Sequence, residues 1–579
     1  MTLHQYDYIF ALGTIFAFLD AWNIGANDVA NSWATSVSSR SVKYWQAMIL
    51  ATIMEFSGGI GVGATVSDTI RTKVIDVTAF DTANAPMLML GMLCALIGSS
   101  LYLTMATKFG LPVSTTHSIL GGVIGMGIAI LGADGVQWWG GDINSGVVQV
   151  FLAWVIAPVI SAAFASIIFM ATKHAILLRE NPAMKALTTI PFYFFLTCTL
   201  LAMLIVWKGG SSRIDLNGGE IAGTVVGTGA VMALLAGFFL VPWLYRRVIL
   251  DDWQIRPWHL LQGPLVLRRG PVPARPAGVK TVQNYYRGHK TMEQLRAERA
   301  AGQDEETART SSGEASVEPK QEPHTVTSDV DSESDTIKIT GPRPEGGKFH
   351  PAVLFWQVKR LLFRGIEKDV VSMQSKRNIL AGDIEMTHAH ADHFENRAEY
   401  MFSFLQVLTA CTASFAHGAN DLSNAVGPYA TIYSIWKTGD LGGSGGDGDA
   451  KKTDVPYWIL AFGGVSLVIG LWTYGYNIMR NLGNRITLHS PSRGFTMELG
   501  SAITVIMATK LKLPVSTTQC ITGATVGVGL CNGTWRTINW RMVIWIYMGW
   551  IITLPVAGII SGCLTGIIIN APRWIPSTA

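Results

Sequence analysis

Two short motifs, each present twice, carry residue types that can bind ions. Asn23-Ile-Gly-Ala-Asn-Asp-Val-Ala-Asn31 recurs as Ala416-His-Gly-Ala-Asn-Asp-Leu-Ser-Asn424, and Leu111-Pro-Val-Ser-Thr-Thr-His117 recurs as Leu513-Pro-Val-Ser-Thr-Thr-Gln519. Their order is the same both times, which marks an internal duplication. Asn27 and Asn31 are four residues apart, and Asp28 and Asn31 three, so their oxygens share one helix face. Asn420, Asp421 and Asn424 repeat the set. Carboxylate and amide oxygens of this kind suit a hard cation such as sodium. A single copy would serve as well as a helix cap at the membrane surface; the matched second copy favours binding.

The Pro-Val-Ser-Thr-Thr motif reads as a helix start. Pro breaks the preceding backbone, and Ser or Thr caps the first turn. Backbone N–H groups and hydroxyls then converge on one spot at the positive end of the helix dipole, a ready site for an anion such as phosphate. Two such starts, Ser114-Thr115-Thr116 and Ser516-Thr517-Thr518, can enclose one tetrahedral anion between repeated halves, the site architecture of many secondary transporters. Moving one elementary charge through 100 mV costs about 2.3 kcal/mol, so an anion entering a negative cell needs accompanying cations. Cation-coupled anion uptake is what these motifs together can do.

Glu55 and Glu498 each interrupt an apolar run. Either can ligate a cation, accept a proton or pair with a buried arginine such as Arg493; they stand at unmatched distances from the Ser-Thr-Thr motifs. Thr387-His-Ala-His-Ala-Asp-His393 fits the HxHxDH pattern of zinc hydrolases. That chemistry needs preceding strands and further ligands, and here a span follows within a few residues. A solvated juxtamembrane stretch is the default for His388, His390, Asp392 and His393, with a membrane metallohydrolase as the competing class and a non-transporting nutrient receptor as a third.

The elements that position these residues follow from composition. Of 579 residues, 49% are hydrophobic and 15% charged, against about 25% charged in soluble proteins. Roughly half of the charged residues fall in 244–397. An ordinary soluble enzyme, a coiled coil and a disulfide scaffold are excluded; the chain is an all-α polytopic membrane protein. A span takes about 20 apolar residues. Candidates are 6–24, 45–66, 86–107, 147–171, 190–207, 220–243, 399–419, 422–436, 457–479, 495–510 and 540–570. The runs 112–130 and 514–530 are spans, half-helices or re-entrant hairpins. The expected units are a membrane block 1–243, a largely disordered cytoplasmic loop 244–397 and a second block 398–579. Arg246, Arg247, Arg256, Arg268, Arg269 and Arg275 beside the membrane favour the cytoplasm for that loop, and Ser328, Ser332 and Ser334 within it can accept phosphate or simply be solvated. The first 20 residues read as a retained helix rather than a signal peptide. The six cysteines lie in or beside apolar runs without CxxC spacing and read as core. A net charge of +4 gives no reason to expect nucleic-acid binding.

With both pairs of motifs in view, the sequence resembles the inorganic phosphate transporter family, close to its fungal sodium/phosphate symporter branch. Leu488-His-Ser-Pro-Ser-Arg-Gly-Phe495 and Ser38-Ser-Arg-Ser-Val-Lys-Tyr-Trp-Gln-Ala-Met48 extend the resemblance beyond the motifs. It implies about twelve spans in two inverted repeats, with broken or re-entrant helices at Pro-Val-Ser-Thr-Thr. It also implies a large cytoplasmic loop, extracellular termini, a homodimer, and sodium-coupled phosphate import at the plasma membrane with no cofactor beyond the co-transported sodium. By match, Asn27, Asp28, Asn420 and Asp421 would coordinate sodium and phosphate, with Asn31 and Asn424 beside them. Ser114, Thr115, Thr116, Ser516, Thr517 and Thr518 would hold phosphate, and Glu55 and Glu498 would be transport-essential acids. Gln519 stands where the first copy has His117 and is neutral at every pH, which tilts the choice towards sodium over proton coupling. A proton-coupled carrier, or one for another oxyanion such as sulfate, is the alternative.

Overall fold

The computed structural model describes the chain except residues 1–2, 64–74, 76–79, 81–83, 140–145, 208–216, 312–338, 376–379, 440–454, 512, 514 and 572–579. The described residues are helical, with one isolated bridge between Ile75 and Val136. In the first block the long helices are α1 (Asp7–Asn27), α2 (Val29–Ser38), α3 (Tyr44–Val62), α4 (Ala85–Phe109), α5 (Thr115–Leu131), α6 (Val148–Thr172), α7 (Pro182–Ile205) and α8 (Gly218–Leu235). In the second they are α9 (Asn396–Thr438), α10 (Tyr457–Tyr474), α11 (Pro491–Lys510), α12 (Thr517–Leu530) and α13 (Trp540–Asn570). Among the described residues, seven helical stretches are long and apolar enough to cross a bilayer: 4–38, 85–109, 148–177, 182–205, 218–249, 457–474 and 540–570. Helices α3, α9 and α11 fall outside that set because they carry the polar residues of the interior. The runs 399–419 and 422–436 form the single 43-residue helix α9 rather than two spans. In the first block the corresponding stretch 4–38 also runs on through Asp28, whose backbone stays helical (φ −88°, ψ −31°) at the junction of α1 and α2.

Packing obeys the duplication. α3 lies on α9 as α10 lies on α1, α5 on α13 as α12 on α6, and α4 on α1 as α11 on α9. The matched segments run antiparallel. The start of α1 meets the end of α9, where Leu3 N donates to Trp436 O at 2.8 Å and Trp436 Nε1 to Asp7 Oδ1 at 2.8 Å. At the other face, just past α2, Ser39 Oγ donates to Gln406 Oε1 at 2.7 Å near the start of α9. Two matched halves of opposite direction are an inverted repeat. The glycine of each Gly-Ala-Asn-Asp copy is required by this packing. A Cβ at Gly25 would lie 1.9 Å from Leu467 O in α10, and one at Gly418 would lie 2.3 Å from Glu55 O in α3, so neither crossing tolerates a side chain.

Ile167, Leu234, Ile559 and Ile567 point outward, as a surface against lipid requires. Of the central segment 244–397, residues 312–338, with Ser328, Ser332 and Ser334, lie outside the described residues. Its flanks pack onto the bundle: Tyr285 and Tyr286 are buried, and Tyr286 Oη donates to Glu399 Oε1 at 2.8 Å.

Candidate functional site

The two helix starts face each other at the centre. Ser114 and Ser516 are the residues just before α5 and α12, both extended, and Ser114 Oγ accepts from His117 N at 3.2 Å. The turn into α5 is possible because Gly110, at φ +72°, closes α4 in the left-handed region. Pro514 lies outside the described residues.

The threonines following these caps bind the carboxylates of both halves. Asp28 accepts from Thr115 of its own half at 2.5 Å and from Thr518 of the other at 3.1 Å. Asp421 accepts from Thr517 at 2.9 Å and, across the halves, from Thr116 at 3.4 Å. The asparagines cross as well: Asn31 Nδ2 donates to Thr518 Oγ1 at 2.6 Å, and Asn424 Nδ2 donates to Thr115 and Thr116 at 3.2 and 3.0 Å. All of these residues are buried. The duplicated motifs therefore form one cage, with Thr115, Thr116, Thr517 and Thr518 shared between Asp28 and Asp421.

Asn27 and Asn420 stand differently. Asn27 Nδ2 donates to Thr107 Oγ1 and Leu111 O, each at 3.1 Å, and its Oδ1 accepts from Val113 N at 3.1 Å. It thus fixes the loop between α4 and α5. Asn420 Nδ2 donates to Asp421 Oδ1 at 2.8 Å.

His417 is the participant that the residue-type reading missed. Its Nδ1 lies 2.7 Å from Glu55 Oε2 and its Nε2 3.1 Å from Asp421 Oδ2, and one ligand atom each of Asp28, His417 and Asp421 falls within 4.8 Å of the others. Ser414 Oγ donates to Glu55 Oε1 at 2.7 Å, and Trp33 Nε1 donates to Ser414 Oγ at 3.2 Å. Glu55 therefore reaches the cage through His417. The available signal was the mismatch between copies, His417 standing where the first has Ile24. Glu498 lies apart, accepting from Thr35 (2.5 Å), Ser36 (2.7 Å), Thr409 (2.5 Å) and Gln406 (3.2 Å). A cavity of about 20 Å³ lined by Asn31, Ser32, Thr517 and Glu498, among others, joins it to the cage. That is room for one water or ion.

The HxHxDH residues turn to separate partners. His388 contacts His289 Nδ1 at 3.0 Å and Asn484 O at 2.7 Å, and His390 contacts Met386 O at 2.7 Å. Asp392 pairs with Lys173 at 2.7 Å, and His393 stacks on Tyr286. Burial lowers His388 to about 4.

The sequence matches the family described as "Phosphate transporter family" over residues 24–561. The chain belongs to that family. It is 63% identical to the phosphate-repressible phosphate permease of Neurospora crassa, over 99% of each chain. It is 30% identical to a putative phosphate permease of Pyrococcus abyssi, over 96% of each, and 28% identical to the sodium-dependent phosphate transporter 2 of Xenopus tropicalis, over 98% of this chain and 99% of that one. A solved structure titled "The sodium-dependent phosphate transporter" shares the fold, with a TM-score of 0.62 and 24% identity, over 98% of this chain and all of that one. These relatives are permeases and transporters rather than enzymes, so the protein is a membrane phosphate transporter and the metallohydrolase reading falls.

Proposed function

We propose that this transporter is a secondary symporter that imports inorganic phosphate together with sodium. The observation that carries the reading is the sharing of hydroxyl donors: each cage carboxylate is held by one threonine from each half. A hydroxyl has one proton to donate, so it cannot serve a carboxylate and phosphate at once. Sodium arriving at Asp28 and Asp421 takes over their oxygens. Thr115, Thr116, Thr517 and Thr518 are then free to turn to a tetrahedral anion at the starts of α5 and α12, where the helix dipoles favour negative charge. Phosphate finds its donors only after the cations have bound, and that order is the coupling. Glu55, acting through His417, and Glu498, bordering the adjoining cavity, are the transport acids of this scheme. The printed name of the Xenopus relative supports sodium over protons. The basic flank from Arg246 to Arg275 supports a cytoplasmic central segment 244–397 between membrane blocks 1–243 and 398–579, at the plasma membrane with both termini outside.

The test is uptake of radiolabelled phosphate into proteoliposomes with external sodium replaced by choline. The expected result is collapse of accumulation; undiminished uptake would exclude sodium as the driver. Asp28→Asn should abolish the sodium-dependent phosphate current, and a wild-type current in that variant would refute the cage.

A further inference from the structure

Asp20 is a carboxylate that the cage does not use. It lies in α1, fully buried, with the Ser99 and Ser100 hydroxyls of α4 beside it. Ser100 Oγ is 3.3 Å from its Oδ1, while its Oδ2 has no hydrogen-bond partner. None of the ion pairs among the described residues includes it. One turn on, Asn23 is equally buried. Its Nδ2 is committed to Leu19 O, Ser100 O and Thr104 Oγ1 at 2.9, 3.3 and 2.9 Å, and its Oδ1 is left without a donor. A lone charge at this depth without a counter-ion is strongly disfavoured, so such a residue in a span marks a functional site.

We propose that Asp20, Asn23, Ser99 and Ser100 form a second cation site, separate from the cage, that takes one monovalent hard cation of the sodium class. All its groups are oxygens, which excludes a soft metal, and it offers one carboxylate, which matches one positive charge. Its position gives it a purpose. Asp20, Asn23 and Asn27 follow one another at spacings of three and four along α1, opposite Ser100, Thr104 and Thr107 at four and three along α4. The result is a polar ladder between two apolar helices, linked by Asn23 to Thr104 and by Asn27 to Thr107. Eight residues separate Asp20 from Asp28, about 12 Å along the helix. The ladder runs along the second half of α1, and a cation held at Asp20 stands on the side of the cage that faces the start of α1, opposite the central segment. The second half has no equivalent, because Asp20 and Asn23 correspond to Ala413 and Ala416.

The purpose assigned to the site rests on the sodium-symport reading; the site itself can be tested without it. Sodium-dependent thermal stabilisation of purified protein without phosphate reads binding alone, and phosphate uptake against sodium concentration reads transport. Asp20→Asn should raise the half-saturating sodium concentration about tenfold (about 1.4 kcal/mol) and lower the Hill slope, while the phosphate half-saturation at saturating sodium stays within about twofold. The double variant Ser99→Ala/Ser100→Ala keeps the carboxylate and should give a smaller rise, about threefold, which serves if Asp20→Asn does not reach the membrane. Sodium curves that superimpose on wild type in either variant overturn the site, as does an effect confined to the pH profile, which would make Asp20 a protonated acid. If wild-type uptake is indifferent to choline but sodium still stabilises wild type and not Asp20→Asn, the symport reading fails and the site stands.

Discussion

Thr518→Val separates the donor-sharing mechanism from simple damage to the site. Thr518 donates to Asp28 at 3.1 Å and accepts from Asn31 at 2.6 Å, and valine keeps its shape without its hydroxyl. The Asn31 donor loses its acceptor whether or not the cage is loaded, so that loss, about 1–3 kcal/mol in fold stability, cancels from binding. The other hydrogen bond does not cancel. In the unloaded protein it competes with sodium for Asp28; in the loaded protein it belongs to phosphate. A hydrogen bond to a charged group contributes about 1.5–3 kcal/mol, roughly 10- to 100-fold in a binding constant. The variant should therefore need 10- to 100-fold more phosphate for half-maximal uptake at saturating sodium, by the same estimate. It should also bind sodium more tightly in the absence of phosphate. Phosphate titrations of radiolabelled uptake give the first quantity, and sodium-dependent shifts in thermal stability give the second. The opposite signs are the test. Weakening of both ligands together, or an unchanged phosphate titration, refutes the shared-donor scheme.

His417→Gln removes the cation between Glu55 and Asp421, and breaking a buried pair costs about 3–5 kcal/mol; sodium-free thermal stability should fall accordingly and partly recover in the double variant with Glu55→Gln, and a neutral single variant would show that the pair is not charge-compensated. Gly25→Ala places a Cβ 1.9 Å from Leu467 O, so the crossing of α1 and α10 must open; overpacking of about 1–3 kcal/mol or more should abolish surface expression, and wild-type uptake would contradict the packing. His388 is held neutral by burial, at about 4 against an ordinary 6.5. The unfolded chain therefore binds the proton first, and docking of the central segment weakens as pH falls from 6.5 towards 4, by about 3 kcal/mol from His388 alone. Amide exchange at Tyr285–His289, corrected for intrinsic rates, should rise across that window and be level above it; a flat profile would sink the assignment.

The duplicated motifs and the membrane architecture are legible in the sequence because each is local: apolar length, a Pro-Ser-Thr-Thr start, an Asn-Asp pair. What is not legible is long-range. Nothing in the spacing shows that Thr518 serves Asp28 and Thr116 serves Asp421, because that exchange comes from two antiparallel halves meeting. The continuity of α9 through Ala419-Asn-Asp421 is hidden too, since hydropathy dips at the polar residues whether a helix ends there or continues. Glu55 and Glu498 stand out as lone charges, but their different surroundings depend on His417 and on Gln406 arriving from α9. Asp20 escaped notice because a single acid near a chain start reads as the edge of a span.

The departures from symmetry make the two halves of the cage chemically unequal. The motif alignment sets His417 against Ile24, and the helix crossings set Glu55, whose carbonyl underlies Gly418, against Leu467, whose carbonyl underlies Gly25, so an ion pair replaces an apolar pair in the same seat. His417 contacts Asp421 directly at 3.1 Å and lies near Asp28 without contacting it, while the hydrogen bonds to Asp28 come from threonine hydroxyls. On the proposed reading the first sodium therefore goes to Asp28. With Asp28, Asp421 and Glu55 all ionised and His417 protonated, the empty cage and its Glu55–His417 pair would carry −2, and two sodium ions would bring them to zero. Adding a phosphate monoanion leaves the loaded cage at −1, one charge less negative than the empty cage that returns. Each cycle then carries one net positive charge inward, and the membrane potential contributes about 2.3 kcal/mol per 100 mV to uptake. With a single sodium the loaded and empty cages would carry equal charge and the potential would contribute nothing. A charge-to-phosphate ratio near zero at a pH where phosphate is a monoanion would therefore contradict the count of carboxylates in the cage.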